Sequence, residues 1–259
     1  RMGIPVSGKN IFPSNIQGLP TWYEIRVSKD GYMARPSEVD LVVALNPATY
    51  SKDVATVREG GFLLYDSSWP LPKELERQGI TILGIPFGRM CVEAFEGDRE
   101  RTLLRNIAYT GALTALLDID QAVVDELLEQ TYGKKPKLLA ANHKAIRLGH
   151  DYAKKHHPCP LPFRLEKMDA TGDSILIDGN TACALGAVYA GATVGAWYPI
   201  TPATSLMEAF KAFCEKFRVD KETGEHRFAI IQAEDELSAA GIVIGAGWAG
   251  ARAFTNTSG

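Results

Sequence analysis

Three consecutive acidic residues, Glu234, Asp235 and Glu236, separate a short apolar run from a long stretch without charge. The run at residues 228–231 is typical of a buried strand, and residues 237–251 contain only the small, apolar and hydroxyl residues of a buried helix. Ligands of open α/β sheets bind at the carboxyl ends of the strands, where these acids would stand. We expect Glu236 to face an apolar interior, where a carboxylate is costly unless it has a partner or a function.

A second candidate feature is the turn Tyr198-Pro199-Ile200-Thr201-Pro202, which follows another apolar run. Proline fixes its own backbone angle φ, so two prolines around Thr201 would aim its hydroxyl at a set point. The last predicted strand, at residues 253–257, ends at the hydroxyl residue Thr257, and Ser258 follows it. We predict that the turn, the acids and these hydroxyls line one edge of a single sheet.

The elements that position this edge alternate between strand and helix. Strands are predicted at residues 174–177, 192–197, 228–231 and 253–257, and helices at 181–191, 205–217 and 237–251. Asp178, Gly179 and Asn180 are suited to capping the helix that follows them.

In the first half of the chain, predicted strands and helices alternate in the same way. Strands are predicted at residues 21–28, 40–45, 62–65 and 80–85, after a loop at 11–20, and helices at 51–59, 71–78, 98–130 with a break at 118–120, and 141–154. In the first strand Tyr23, Ile25 and Val27 would form the buried face. The fold class is therefore α/β with mainly parallel sheets, in two domains at residues 1–155 and 173–259, joined by a proline-rich linker at 156–172.

Composition excludes several classes of function. A formal net charge of −3 over 259 residues gives no basic excess for binding nucleic acid or an anionic membrane. The four cysteines are far apart, which argues against a disulfide framework or a metal site and fits a reducing cytoplasm. The pair His156-His157 is more typical of a surface than of a metal site. The uncharged stretch 179–207 is broken by prolines, so we interpret it as buried in a domain rather than as a membrane span.

Three stretches together carry a family resemblance: residues 13–32, the segment 179–210 with its YPITP turn, and the segment 232–259 with the E-D-E-L-S-A-A-G helix start. The chain resembles the 2-oxoacid:ferredoxin oxidoreductases, and most closely the alpha subunit of the 2-oxoglutarate type, in which a gamma-like domain precedes a pyrimidine-binding thiamine diphosphate domain. Because this sequence begins at Arg1 and stops at Gly259, we expect a segment that is truncated at both ends.

The resemblance implies a thiamine diphosphate enzyme that decarboxylates a 2-oxoacid, passes electrons to ferredoxin and forms an acyl-coenzyme A, or runs in the reverse, CO2-fixing direction of a reductive TCA cycle. It implies a buried carboxyl with a raised pKa that bonds a ring nitrogen of the cofactor's aminopyrimidine. Glu236 matches the family's glutamate by its offset from Ala239-Ala240-Gly241. Glu234 is the alternative, and all three acids could instead only cap the helix.

The same resemblance implies that Thr201 contacts substrate or cofactor, although a turn threonine can be purely structural. It places Tyr198 beside the pocket or a partner chain, and Pro199, Ile200 and Thr257 beside the cofactor. Relatives often have serine where this turn has Ala203, which puts a hydroxyl contact there in doubt.

The implied partners are a beta subunit in a heterodimer or heterotetramer, ferredoxin, a 2-oxoacid and coenzyme A. Mg²⁺ and a [4Fe-4S] cluster are expected on the beta subunit and not on this chain. The small residues Gly241, Gly245 and Ala249 would let a helix pack closely against this subunit or within the domain. A non-catalytic assembly or binding module is the alternative, whereas a Rossmann-type nucleotide binder is disfavoured because no GxGxxG follows a predicted strand.

Overall fold

The computed structural model describes residues 1–11 and 19–258, so most of the predicted loop at 11–20 lies outside the described residues. The chain divides into two compact units, Arg1–Gly8 with Ile25–Asp173, and Lys9–Glu24 with Ser174–Gly259. Each unit contains helices and a three-stranded parallel sheet, which confirms the predicted α/β class. The predicted domain boundaries at 155 and 173 stay predictions.

The sheet of the first unit consists of β3 (Val39–Ala44), β4 (Val57–Asp66) and β5 (Thr81–Ile85), in that order and all parallel. Its strands are apolar on both faces because α1 (Tyr50–Thr56) covers one face and longer helices cover the other. The helix predicted at 51–59 ends at Thr56, since β4 already begins at Val57 and incorporates Gly60 and Gly61.

The helix predicted at residues 71–78 is wrong. Only a single 3-10 turn forms, at Lys73–Leu75. Pro70 and Pro72 remove two backbone N–H donors from this segment, which leaves it too short for a stable helix.

Four helices complete the first unit: α2 (Phe87–Ala94), α3 (Asp98–Leu116), α4 (Gln121–Tyr132) and α5 (Pro136–His156). The predicted break at 118–120 is confirmed, because Asp118 adopts a left-handed φ of 53° and Asp120 caps α4 by accepting from the Ala122 N–H. The backbones of α3 and α5 touch where Gly111 faces the Ile146 carbonyl and Gly149 faces the Ala108 carbonyl.

The segment that follows α5 is extended but attached to this unit. Backbone N–H groups of Leu161 and Leu165 donate to the carbonyls of Leu116 and Leu117, both over 2.8 Å. The Leu161 side chain is buried in the core of the first unit.

Two further strands, β1 (Val6–Ile11) and β2 (Trp22–Val27), form a separate ribbon. The strand is confirmed, but the predicted burial of its apolar face is wrong, because Tyr23 and Ile25 are both more than 60% exposed. Alternation in the sequence defines two faces of a strand, and the packing of other elements decides which one is covered. Of the three residues of this face, Val27 is half-buried.

The second unit is built from α6 (Gly179–Tyr189), β6 (Val194–Trp197), α7 (Thr204–Phe217), β7 (Ala229–Gln232), α8 (Glu236–Trp248) and β8 (Ala253–Phe254). The strand order is β7-β6-β8, with β6 parallel to both neighbours. Its core packs Ala184 of α6 against Met207, Phe210 and Cys214 of α7. The strand predicted at 174–177 is wrong, because no strand of the described chain pairs with it, and Ile175 and Leu176 are exposed.

Candidate functional site

The carboxyl edge of the second sheet brings the predicted site residues together. Trp197 at the end of β6 is in register with Gln232 at the end of β7, and the next residue, Ala233, donates its N–H to the Trp197 carbonyl over 2.8 Å. The proline turn therefore leaves the sheet beside the point where the acids begin. Because β8 is parallel to β6, Thr257 follows a strand that ends at the same edge.

The three acids take different positions at the start of α8. Asp235 is the N-cap, and its carboxylate accepts from the Ser238 N–H over 2.7 Å. That hydrogen bond lowers the pKa of Asp235 below its usual value. Glu236 is the first residue of the helix, where the helix dipole favours a negative charge. Capping therefore falls to Asp235.

The expected burial of Glu236 is wrong within the described chain, because its side chain is exposed. The reason is that α8 itself is poorly covered: of its thirteen residues only Ala239 is buried, while Leu237 is 84% and Trp248 93% exposed. A charge-free sequence predicts a buried helix, but the described elements bury one narrow side of it.

The open side of α8 includes the glycines of the predicted packing face. A Cβ atom added at Gly241 or Gly245 would meet no described atom within 4 Å outside the backbone of α8 itself. Among the described residues, close packing inside the unit therefore does not account for these glycines.

The turn that carries Thr201 is tied internally by Thr204, whose N–H and hydroxyl donate to the Ile200 carbonyl over 3.0 and 3.2 Å. Thr201 and Pro199 are exposed, Ile200 is half-buried and Tyr198 is 38% exposed. The Thr201–Pro202 peptide bond is cis. Ala203 is buried, and its carbonyl accepts from the Leu206 N–H over 3.0 Å, so residue 203 acts here through its backbone.

Two asparagines that sequence reasoning did not assign to the site hold this turn. Asn180 Nδ2 donates to the Pro202 carbonyl over 2.9 Å, and Asn256 Nδ2 donates to the Ala203 carbonyl over 2.5 Å. The helix cap at residues 178–180 was predicted, and Asp178 alone provides it by accepting from the Thr181 N–H over 2.9 Å. The available signal was an asparagine two residues after a capping aspartate and another two residues after a strand.

Two surface grooves are formed by described residues of the first unit. One, of about 390 Å³, runs along α5 between Met90 and Tyr152, and the other, of about 590 Å³, contains the pairs His143–Asp125 and His150–Asp151.

Across residues 1–11 and 19–258, no three His, Cys, Asp or Glu side chains are arranged to hold a metal ion. In the same ranges, every helix is too short or too polar to cross a bilayer.

Comparison with known proteins decides the family. The model described as "Pyruvate ferredoxin/flavodoxin oxidoreductase" matches residues 1–152, more than half of the chain. The chain belongs to this oxidoreductase family. A second model, "Pyruvate flavodoxin/ferredoxin oxidoreductase, thiamine diP-bdg", matches residues 185–259, which include the whole carboxyl edge described above. The resemblance stated from the sequence is confirmed.

Within the pyruvate ferredoxin/flavodoxin oxidoreductase family, the chain is 29% identical to the alpha subunit of 2-oxoacid:ferredoxin oxidoreductase 1 from Aeropyrum pernix, over the whole chain and 46% of that relative. It is 42% identical, over 34% of the chain and 21% of the relative, to a 2-oxoglutarate synthase subunit KorA from Methanothermobacter thermautotrophicus. The chain thus spans about half the length of the curated relatives that it matches end to end.

A solved structure gives the same assignment. The 2-oxoglutarate:ferredoxin oxidoreductase from Magnetococcus marinus, with 2-oxoglutarate, coenzyme A and succinyl-CoA bound, superimposes with a TM-score of 0.81 at 28% identity. The match covers all of this chain and 43% of that one.

The residues at the edge fit the pyrimidine end of thiamine diphosphate. An aminopyrimidine needs a carboxyl beside one ring nitrogen and hydrogen-bond acceptors for its amino group, and Glu236 is an exposed carboxyl at this edge. Asn256 Oδ1 is buried and has no hydrogen-bond partner among the described residues, so an acceptor is left over beside the turn. The half-buried Ile200 provides apolar surface.

Proposed function

We propose that this chain is part of the alpha subunit of a thiamine diphosphate-dependent 2-oxoacid:ferredoxin oxidoreductase whose substrate is 2-oxoglutarate. The observation that carries the proposal is the edge where Glu236 and the Thr201 turn leave adjacent parallel strands, inside the region that matches the thiamine diphosphate-binding model. The choice of 2-oxoglutarate as substrate is supported by two relatives that are named for it, the 2-oxoglutarate synthase subunit and the 2-oxoglutarate:ferredoxin oxidoreductase. When bound, thiamine diphosphate supplies the electron sink for decarboxylation of the 2-oxoacid.

Glu236 holds the proton that controls the cofactor's reactivity. Its carboxyl Oε donates this proton to, and takes it back from, a ring nitrogen of the aminopyrimidine. A carboxyl suits this exchange best when its pKa is raised by burial. We propose that a partner surface closing over the exposed start of α8 provides the burial that the described chain does not.

The other edge residues bind and orient. The Thr201 hydroxyl is exposed and free to donate to an oxygen of the substrate or accept from the cofactor. Tyr198, Pro199 and Ile200 form the apolar wall of the cofactor site, and Thr257 contributes a hydroxyl from the segment that follows β8, on the other side of β6. Exclusion of water strengthens each of these interactions.

The remaining chemistry is assigned to partners. We propose a beta subunit that binds Mg²⁺ and the cofactor diphosphate and carries a [4Fe-4S] cluster, in a heterodimer or heterotetramer. Coenzyme A accepts the acyl group and ferredoxin accepts the electrons, or both steps run in reverse. The relatives are alpha subunits of 2-oxoacid:ferredoxin oxidoreductases, which supports a need for a second subunit.

The test is ferredoxin reduction that depends on 2-oxoglutarate and coenzyme A, measured in the enzyme assembled from its complete subunits. Glu236→Gln keeps the size of the side chain but cannot exchange the proton, so turnover should fall by about 10²- to 10⁴-fold while the complex still assembles. Glu208→Gln, at an exposed position on α7, is the matched control and should leave turnover unchanged.

Two results would change the proposal. Full turnover in Glu236→Gln together with its loss in Glu234→Gln would transfer the role to Glu234. A wild-type enzyme that binds no thiamine diphosphate, measured by calorimetry, would favour the alternative function of an assembly or binding module. The exposed apolar residues of α8 are compatible with that alternative, because they suit an interface whether or not the chain is catalytic.

A further inference from the structure

The prolines of the turn that carries Thr201 cannot donate backbone hydrogen bonds to the rest of the unit. Pro199 and Pro202 have no N–H, so this part of the turn can be tied to the rest of the unit mainly through its carbonyl oxygens, which need donors. The internal hydrogen bonds of the turn join residues at most four positions apart: Thr204 donates to Ile200, Ser205 to Pro202 and Leu206 to Ala203. They shape the turn but do not locate it in the unit.

Two side-chain amides donate to the turn from distant parts of the chain. Asn180, in the first turn of α6, donates to the Pro202 carbonyl over 2.9 Å and to Ser205 Oγ over 2.8 Å. Asn256, two residues after β8, donates to the neighbouring Ala203 carbonyl over 2.5 Å. The two carbonyls are consecutive, so the turn is held at one point by elements that lie 22 and 53 residues away in sequence.

We propose that Asn180 and Asn256 are positioning residues for the reaction, because they locate the turn and thereby the Thr201 hydroxyl at the carboxyl edge of the sheet. This inference rests on the proposed function for the role of Thr201. It predicts that the amide donor is essential, since an aspartate of the same size would set a carboxylate oxygen against a carbonyl oxygen.

Asn256 has a second capacity. With Nδ2 committed to Ala203, its Oδ1 is buried without a partner in the described part of the chain. A buried acceptor of this kind is costly until a donor reaches it. The aminopyrimidine amino group is a donor of the right chemistry, so Asn256 also serves as a contact for the cofactor.

The experiment uses the enzyme assembled from complete subunits and has one readout that does not depend on the cofactor. Amide hydrogen exchange at residues 200–206, followed by mass spectrometry without cofactor, should become faster in Asn180→Ala and Asn180→Asp. Cys183→Ser, at an exposed position on α6 in the next helical turn, is the control and should leave exchange unchanged. Unchanged exchange in both Asn180 variants would overturn the anchoring role.

The second readout separates positioning from a merely structural role. Asn180→Ala should raise the KM for 2-oxoglutarate by about 3- to 10-fold, the effect of losing one hydrogen bond, and Asn180→Asp by at least as much. Because Asn180 acts through Thr201, adding Asn180→Ala to Thr201→Val should raise the KM no further than Thr201→Val alone. Multiplicative effects, or a fall in kcat with unchanged KM, would show that Asn180 only stabilises the fold.

The two hypotheses can fail separately. If the wild-type enzyme does not bind thiamine diphosphate or turn over 2-oxoglutarate, the proposed function fails, and the exchange data still decide whether the amides hold the turn. If the wild type is active and Asn180→Asp has the same KM and exchange as wild type, only the present inference fails. For Asn256, thiamine diphosphate affinity should fall by about 3- to 10-fold in Asn256→Leu, which has no acceptor oxygen, and unchanged affinity in that variant would remove Asn256 from the cofactor contacts.

Discussion

The N–H of Ala233 donates to the carbonyl of Trp197 over 2.8 Å and keeps β6 and β7 paired to their last residues. Beyond this hydrogen bond, β6 continues into the proline turn and β7 continues into the three acids. Strands that separated earlier would let the two segments spread apart. This contact therefore sets how close Thr201 and Glu236 can come.

Asp235 should control the stability of the helix that begins with Glu236. Its folded-state pKa is lowered, so its contribution is complete above the usual aspartate pKa of about 3.9 and is lost as the pH falls through the lower folded value. Asp235→Ala should lower the melting temperature at pH 7, with a difference from wild type that shrinks under acid. Asp235→Asn, which still caps, should melt near wild type at neutral pH. Equal melting of all three at pH 7 would contradict the capping role.

Tyr50 should make the first unit sensitive to alkali. Burial, with a smaller effect of the Asp66 carboxylate, raises the pKa of Tyr50 to about 12. The phenol in the unfolded chain ionises near pH 10, so the stabilising contribution is complete below about pH 10 and is lost as the pH rises to 12.

The test variant is Tyr50→Phe, because the buried Tyr50 hydroxyl has no hydrogen-bond partner in the described chain and its loss should cost little. This variant should unfold at a higher pH than wild type in an alkaline titration followed by circular dichroism. A shift of the midpoint to lower pH would show that the hydroxyl has a favourable contact.

The four cysteines should differ in reactivity, since all are free but only Cys183 is exposed. Burial raises the pKa of the Cys91 thiol to about 11, so at pH 8 it has little thiolate and no access to reagent. Alkylation at pH 8 followed by peptide mapping should modify Cys183 first and Cys91 only after denaturation. Early labelling of Cys91 would mean that α2 opens in the native state.

The glycines of α8 should matter for assembly and not for folding of the chain. A Cβ atom at Gly245 would meet no described atom within 4 Å outside the backbone of α8, so Gly245→Leu begins in open space and the melting temperature of this chain should not fall. If a partner helix packs there, co-purification with the beta subunit should be lost. Gly149→Ala is the contrasting control, because the Ala108 carbonyl occupies that space and overpacking should cost about 1–3 kcal/mol. Normal assembly in Gly245→Leu would exclude this face from the interface.

Local pattern in the sequence determined the long helices, the parallel strands and the family. The periodicity of α3 to α5, the apolar runs of β3 to β7 and the spacing of the YPITP turn from the acids are all properties of neighbouring residues. Such signals can be read from the sequence because they depend on the spacing of residues that are only a few positions apart. Pattern alone predicted the wrong element at two places. Prolines prevent the helix predicted at residues 71–78, and no neighbouring strand pairs with the strand predicted at 174–177.

Only the tertiary structure decided what each edge residue does. Three adjacent acids look equivalent in sequence, but the path of the chain makes Asp235 the cap and leaves Glu236 exposed at the first helical position. Asn180 and Asn256 gain their role from carbonyls 22 and 53 residues away. The faces of β2 and α8 that are apolar in sequence are open here, because burial depends on which surfaces meet and not on the composition of one element.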